Sequence, residues 1–577
     1  MSRAEFAVAV NQLYQMMMAG NSSMASSMNA LSKRVSDLEN APSGGTGDLD
    51  MLKRQVADLQ NSVNGMKGWG QDIASLKRLA GEFEKELAGV GVDVDAMKKD
   101  MSDLAARVAK LEEGGAVKIS GDGNFVVLAG HSTDDMYGLT RTGRLMGEGR
   151  GDYSGVPVGM TRDLSVFHEL NVTLSGEAGD GVDWNASLNV NNMMGSRGFD
   201  NYNSMNAGAG FREEWSDVFI DEMTVSWDDS LAGQGFSADI GRFRHSSGAF
   251  FLKRSDYTEF YNNARWDDGA FVMDGGRFMF GFGNVDLTVI AARNSERYTV
   301  GGIDLNPMSK MGPDGAFTTD QMLGFELGFD LGANARLNGV YYFQDSNTMF
   351  DTGMGNANRM NTMGAELEFS FDQIDVYGVY AKTNFSENTD SVLDEDNTAM
   401  ALWAAYDGGN WGLDGGYAAV EGNFGANGSW GRIGTAWNPS NIEGFGAGLW
   451  FNASDALKVK VKGGFFSGTD TGAGLFGLPL TEDDDVTTYS VNLMYDLNNA
   501  WGLSLGYENV DWDFNTGNDP EQKWYTVGLN YNVSDATSVS FLYMISDVDF
   551  KGVSSLDPAG MDAYKGGMLG TQVSFKF

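Results

Sequence analysis

From Val117 to Phe577 the apolar side chains recur at every second position, in segments of about ten residues that the membrane-barrel pattern requires. Leu170, Val172 and Leu174 alternate with Asn171, Thr173 and Ser175, and Trp184, Ala186, Leu188 and Val190 with Asn185, Ser187 and Asn189. Near the end, Tyr489, Val491, Leu493 and Tyr495 alternate with Ser490, Asn492 and Met494. Trp501, Leu503, Leu505 and Tyr507 alternate with Gly502, Ser504 and Gly506, and Tyr525, Val527, Leu529 and Tyr531 with Thr526, Gly528 and Asn530. Period two is the period of a strand, so each segment has one apolar and one small or polar face. No apolar run reaches the roughly 18 residues of a membrane helix. If this chain meets lipid, its strands must close on themselves, because lipid offers no partner for an open edge. The expected fold is an all-β transmembrane barrel; a soluble sandwich or solenoid would leave the apolar stripes without a second buried layer.

Turn and alternation signals give roughly 16 to 20 antiparallel strands. Both barrel ends are expected on the periplasmic side, where the stalk described below and Phe577 are expected, which makes the number even, and 18 is the expectation. Short joins such as Asp330 to Ala333 and Asp496 to Ala500 read as periplasmic turns. Polar stretches read as external loops: Gly130 to Arg162, Gly195 to Trp215, Arg297 to Thr319, Ser386 to Asn397, Phe466 to Asp485 and Asp511 to Gln522. Trp184, Trp227, Trp501, Tyr507 and Tyr531 sit where interfacial aromatic girdles belong.

The last residues, MLGTQVSFKF, place Leu569, Val573, Phe575 and Phe577 on one face and Gly570, Gln572, Ser574 and Lys576 on the other. This ending resembles the closing strand of bacterial outer-membrane barrels. The resemblance makes Phe577 part of the signal read by the barrel-insertion machinery. The 78 Gly against 8 Pro fit many strands joined by tight turns, and the absence of Cys excludes a disulfide framework or thiolate chemistry. No secretory signal stands at Met1, so the expectation is a mature or trimmed chain.

Before the strands the period changes. Met24, Met28, Leu31, Val35 and Leu38 are spaced four, three, four, three. The spacing returns in Leu52, Val56, Leu59, Val63 and Met66 (extended by Trp69, Ile73 and Leu76) and again in Met97, Met101, Leu104, Val108 and Leu111. This is the a/d seam of a coiled coil. A stutter is expected in the less regular stretch from Leu79 to Val94, and a break at 41–47, where Pro42 and three glycines stand. The alternative is a helix pair folded back on itself. The narrow seam favours oligomerisation, and a trimer suits a barrel.

Ahead of it, Phe6, Val10, Leu13, Tyr14 and Met17 form one helical face. Ser2-Arg3-Ala4-Glu5-Phe6 resembles the TRAEF-type signature of surface-layer-homology (SLH) domains, which bind cell-wall polymers. The whole layout is similar to the SLH-coiled-coil-porin family, which includes the OmpM-type tethers of diderm Firmicutes and the surface-layer porins of Deinococcus. That resemblance implies a C-terminal SLH remnant at 1–19, a periplasmic coiled-coil stalk at 20–114 and an outer-membrane barrel at 115–577. It assigns Arg3 and Glu5 to the wall-polymer site or to the SLH trimer. An amphipathic helix capped by Ser2 accounts for the same residues individually.

The formal net charge is −39, of which −36 falls after residue 115, so nucleic acid is an implausible partner. Acidic runs at Asp394 to Asp396 and Glu482 to Asp485 offer carboxylate oxygens to Ca²⁺ or Mg²⁺, and solvated acidic loops are the plainer expectation. No other cofactor is implied. Basic residues concentrate between Arg242 and Arg297. Arg242, Arg244, Arg265 and Arg277 are the candidate pore-lining residues, with Arg265 read as alternating in a strand with Ala264 and Trp266. Facing acidic residues, they would set a transverse field across the pore. Paired with Asp267, Asp268 and Asp274, they would instead stabilise the wall; the two roles are compatible. His131, His168 and His245 show no metal-ligand spacing, and no nucleophile elbow or phosphate loop stands in context, so an enzyme is not expected.

The reading is a homotrimeric outer-membrane porin for small hydrophilic solutes. Its periplasmic stalk would tether the membrane to peptidoglycan or a secondary wall polymer. The rivals are a tether whose barrel is plugged by inward-folding loops and a substrate-specific channel.

Overall fold

The computed structural model describes the chain from 117 to 577, apart from stretches within loops of which 147–163 and 192–216 are the longest. The SLH remnant with Arg3 and Glu5, and the stalk with its break, lie outside the described residues. The wall begins with β1 (Lys118–Ser132), β2 (Leu164–Gly179), β3 (Val182–Asn191), β4 (Asp217–Leu231), β5 (Gln234–His245), β6 (Phe271–Gly281) and β7 (Val285–Asn294). It continues through β8 (Gln321–Asp330), β9 (Ala335–Asp351), β10 (Asn356–Phe371), β11 (Ile374–Glu387), β12 (Thr398–Asp407) and β13 (Trp411–Val420). It ends with β14 (Ile442–Asn452), β15 (Leu457–Ser467), β16 (Asp485–Asp496), β17 (Trp501–Asp513), β18 (Glu521–Ser534), β19 (Thr537–Asp549) and β20 (Ala563–Lys576).

Each strand pairs antiparallel with its successor, and β20 pairs with β1 in register Gly123↔Phe575 and Val127↔Thr571, which closes the sheet. There are 20 strands, not 18. The undercount has a physical cause. In β12 both faces are apolar, and Trp403 and Trp450 share the inward face with Gly416, Gly446 and Gly448, so hydropathy alternation fades there. The even count holds, and the chain enters and leaves the barrel at the end that carries the tight turns. The turns at Asp330 to Ala335 and Asp496 to Trp501 lie at that end, as read from sequence. Several use left-handed residues, such as Gly233 (φ 83°) and Gly409 (φ 82°), where a side chain would strain the backbone.

The outer wall inverts the usual burial rule, because its solvent is lipid. Leu402, Phe445 and Phe465 are exposed by 60–68%, and Leu170, Leu188, Phe325 and Leu413 share that face. Asn124, Asn171, Ser187, Asn189 and Gln572 are buried on the inner one. Aromatics bracket the apolar band. Trp501 stacks on Tyr531 (4.2 Å between centroids) near the turns, while Tyr489, Tyr507 and Tyr525 run in contact nearer the loops. At the seam, Phe577 N donates to Gly121 O (2.9 Å) and Gly121 N to Phe577 O (3.0 Å), so the final residue extends the last ladder. Its ring faces outward, 55% exposed.

Candidate functional site

The buried apolar core lies inside the barrel, built by loops that fold inward. Residues 246–270, between β5 and β6, and residues 421–441, between β13 and β14, meet at a short parallel bridge between Leu252 and Asn427. Lys253 N donates to Asn427 O (2.9 Å) and Ser429 N to Ala249 O (2.7 Å). Phe250 lies flat on Trp430 (5.7 Å, 8°), and Phe424 packs against both. A loop inside a barrel must satisfy its backbone groups there, and the walls supply the partners. On one side Asn427 Nδ2 donates to Gln344 Oε1 on β9 (2.9 Å) and to Thr319 Oγ1 (3.0 Å). On the other, Gln572 of β20 accepts from Asn262 N (2.9 Å) and donates to Asn262 O (2.7 Å). Phe260 lies against Gly570, where an added Cβ would meet its ring at 3.0 Å. The two loops thus form a bar across the lumen, from β9 to β20.

A charged cluster anchors this bar. Arg265 sits on a four-residue helix, α1 (Ala264–Asp267), in the inward loop; sequence alternation had placed it in a strand. It does face the inner wall. Its guanidinium reaches Asp122 Oδ1 of β1 (2.6 Å) and Glu169 Oε1 of β2 (3.1 Å). Burial alone would lower its pKa, but the Asp122 hydrogen bond and the Glu169 charge outweigh that and hold it above the ordinary value. Arg244 reaches Asp221 of β4 (2.6 Å) and Asp268 (3.2 Å). Arg277, inward on β6, grips Asp239 of β5 (2.5 Å) and lies 5.3 Å from the Phe243 ring centroid. Arg242 differs: its register partners are Met223, 56% exposed to the outside, and Asp274, so it stands on the membrane-facing side. Arg244, Arg265 and Arg277 therefore spend their charge locally. Of the partners expected from sequence, Asp268 takes Arg244, whereas Asp274 takes Arg242 on the outer face and not a lumen arginine.

A further anchor joins the loop after β1. Leu139 N donates to Ser546 Oγ (2.8 Å) and its carbonyl accepts from Trp524 Nε1 (2.8 Å). Beside it Arg141 approaches Glu259 (3.6 Å) and Glu508 of β17 (3.7 Å), and Arg432 binds Glu508 (2.6 Å). Burial raises the Glu259 carboxyl, and Arg141 and Arg432 pull it back only partly.

Sequence reasoning passed over a cationic row that, among the described residues, has no acid partners. Lys458, Lys460 and Lys462 alternate with outward Val459 and Val461 on β15, and their cross-strand partners Met494, Asn492 and Ser490 carry no charge. None of the three lies within ion-pair distance of a carboxylate among the described residues. Lys458 Nζ stands 4.1 Å over the Trp450 ring. The signal was legible as LKVKVK, a period-two alternation of Lys and Val. Elsewhere on the inner wall acid prevails: beneath the bar, a space of about 500 Å³ is bordered by Asp286, Glu326, Glu366 and Glu368, with Lys253 and Arg336. A second space, about 740 Å³, lies between Asn262 and the lower ends of β16 to β20.

Among the acidic loop runs, Asp484 is buried and engaged by Thr481 and Asn515 rather than offered to an ion. No group of three or more His, Asp or Glu suited to a metal ion occurs among the described residues.

Residues 423–549 match the family model of Gram-negative porins, about a fifth of the chain. Among solved structures, OpdO of Pseudomonas aeruginosa is similar at 10% identity with a TM-score of 0.41, over 80% of this chain and 97% of that one. OpdQ of the same organism gives 9% and 0.41 over 80% and 99%, and OccAB4 of Acinetobacter baumannii 11% and 0.40 over 80% and 98%. No curated protein matches the chain in sequence. The porin match and the closed barrel together indicate a porin-like protein of the outer membrane.

Proposed function

We propose that this protein is an outer-membrane diffusion channel for small hydrophilic solutes, with the loop bar as its constriction and the β15 lysines as a guide for anionic groups. The observation that carries this is the row Lys458, Lys460 and Lys462, without ion-pair partners among the described residues, on an inner wall where Arg244, Arg265 and Arg277 are locally neutralised. Unpaired ammonium groups in a pore attract carboxylates or phosphates and are weakly held enough to release them, which conduction requires. The carboxylates around Glu366 give the lumen a second sign, so a solute carrying both charges would cross oriented. Tethering to the cell wall and trimer formation are proposed on the residue 1–114 heptads and the SLH-like signature alone. Nothing in the fold points to catalysis.

One observation favours a second reading. Three loops bring Leu139, Phe250, Phe251, Phe260 and Phe424 together in one apolar core inside the barrel, as a plug would. Single-channel recording of the detergent-purified protein in a planar bilayer under a salt gradient separates the two. Stable steps support the channel. Silence from folded, heat-modifiable protein supports the plug.

A further inference from the structure

Trp403 of β12 stands on the inner wall just below the loop bar. Ala401, two residues nearer the loops, and Tyr377, its cross-strand partner on β11, pack against the apolar core inside the barrel, and Trp403 does not. Its six-membered ring reaches the other way, over two glycines. An added Cβ at Gly416 of β13 would meet Cε3 at 2.5 Å, and one at Gly446 of β14 would meet Cη2 at 2.9 Å. One face of the ring thus lies on bare backbone, and the other is left to the lumen. Among the described residues the indole has no ring, cation or hydrogen-bond partner. Two residues nearer the turns, the register sets Asp414 opposite Gly448 and Gly448 opposite Lys462. The Asp414 carboxylate leans over Gly448, where an added Cβ would lie 2.5 Å from Oδ2, yet it stays beyond ion-pair distance of Lys462. Trp450 differs from Trp403. It lies over Gly412 on one side and under Lys458 Nζ (4.1 Å) on the other, so it holds that lysine and offers no open face. An open indole face, a carboxylate and the ammonium groups of Lys462 and Lys460 therefore follow one another down the wall. From Gly446 to Lys462 the backbone diagonal is roughly 8 Å.

We infer that these residues form a subsite for a sugar bearing one acidic group, either a uronate or a phosphate ester. The inference deepens the proposed role of the β15 lysines and rests on it. The face of an indole is negative and apolar, so it takes the C–H face of a sugar ring. Lys462 and Lys460 supply charge-assisted donors to carboxylate or phosphate oxygens. Asp414 decides between kinds of ring. Placed between the indole and the lysines, its carboxylate offers only acceptors, which sugar hydroxyls satisfy by donating. An aromatic acid would bring no donor there and would set its own charge against that of Asp414. A neutral sugar would leave the lysines unused.

The test is a saturation-transfer NMR titration of the full chain in detergent micelles, with glucuronate, glucose 6-phosphate, glucose and benzoate as probes. At least one anionic sugar should bind about tenfold or more tightly than glucose and benzoate, the factor that one charge-assisted hydrogen bond supplies. Which of the two binds better identifies the acidic group. K460Q/K462Q should erase the advantage over glucose. W403L should weaken the anionic sugars roughly fivefold, and W403F, which keeps a ring, should weaken them less. D414A should weaken the anionic sugars and strengthen benzoate, a reversal that a merely structural role would not produce. Lys523 shares the outer face of β18 with Tyr525, so K523Q is the control and should leave all four probes unchanged. Benzoate or glucose binding as tightly as the anionic sugars overturns the inference, as do W403L and D414A titrations identical to the parent's. Binding in micelles needs no open pore. Silent bilayers with the titration intact would remove the channel and keep the subsite, whereas conducting steps without any preference for anionic sugars would keep the channel and remove the subsite.

Discussion

Arg265→Met removes the cation that holds the inward loop to three strands. The side chain is 13% exposed and faces Asp122, Glu169 (side chain fully buried) and Asp221. Breaking a buried ion pair by deleting one partner costs about 3–5 kcal/mol, because a charge is left buried and uncompensated. Two features reduce that here. Glu169 still accepts from Asn189 Nδ2 (2.6 Å) and Asn124 Nδ2 (3.2 Å), and Asp221 keeps Arg244. A loss of about 2–3 kcal/mol remains, equivalent to a roughly 30- to 150-fold shift in the equilibrium for loop release. Equilibrium urea unfolding of the protein in lipid vesicles, followed by tryptophan fluorescence, measures the stability. Recordings of the same variant should show flicker from the freed loop. R265M/E169Q, which removes the stranded charge along with its partner, should recover about 1 kcal/mol or more. If R265M unfolds within about 0.5 kcal/mol of the parent, the cluster does not anchor the loop and the reasoning fails.

Other outcomes follow from the same geometry. K458Q/K460Q/K462Q should move the reversal potential toward cations at unchanged stability, and no shift would remove the lysine row from the conduction path. W430A, which takes away the ring that Phe250 lies on, should raise conductance and cost about 3 kcal/mol; unchanged conductance would place the constriction elsewhere. Asp484 lies outside the strands. Burial alone would raise its pKa, but donors from Asn515 N, Thr481 N and the Thr481 hydroxyl outweigh burial and hold it below the ordinary aspartate range. A depressed folded pKa contributes stability that is present above the unfolded value, about 3.9, and is lost as pH falls through the lowered one. D484N should therefore be about 1–3 kcal/mol less stable at pH 7 and show a shallower loss in acid; an unchanged acid limb would refute the assignment. G241A should lose about 1–3 kcal/mol in the same unfolding assay, since Gly241 has φ 130° and its added Cβ would lie 2.1 Å from Met223 O. Normal stability of that variant would show that β4 and β5 can shift to accept the methyl.

The alternation of apolar and polar residues was enough to indicate a closed barrel and its outward and inward faces, while the even strand count rested on the expectation that both ends lie on one side. Lipid allows no unpaired strand edge, so this conclusion needs no knowledge of distant contacts. LKVKVK shows that even part of the inner wall was written locally. Where both faces are apolar, as in β12, or glycine replaces side chains, as in β13 and β14, the pattern thins, and 18 strands were expected where there are 20. Only the tertiary structure decided that residues 246–270 and 421–441 fold inward, because Asn427 finds Gln344 and Asn262 finds Gln572 across 83 and 310 positions of sequence. It also decided which arginines face the lumen. Arg242 and Arg265 look alike in a list of basic residues, yet strand register sends one to the lipid while a loop helix brings the other to Glu169. Periodicity is a property of neighbours along the chain and can be read there. Charge neutralisation and loop seating depend on partners that only the closed wall brings within reach.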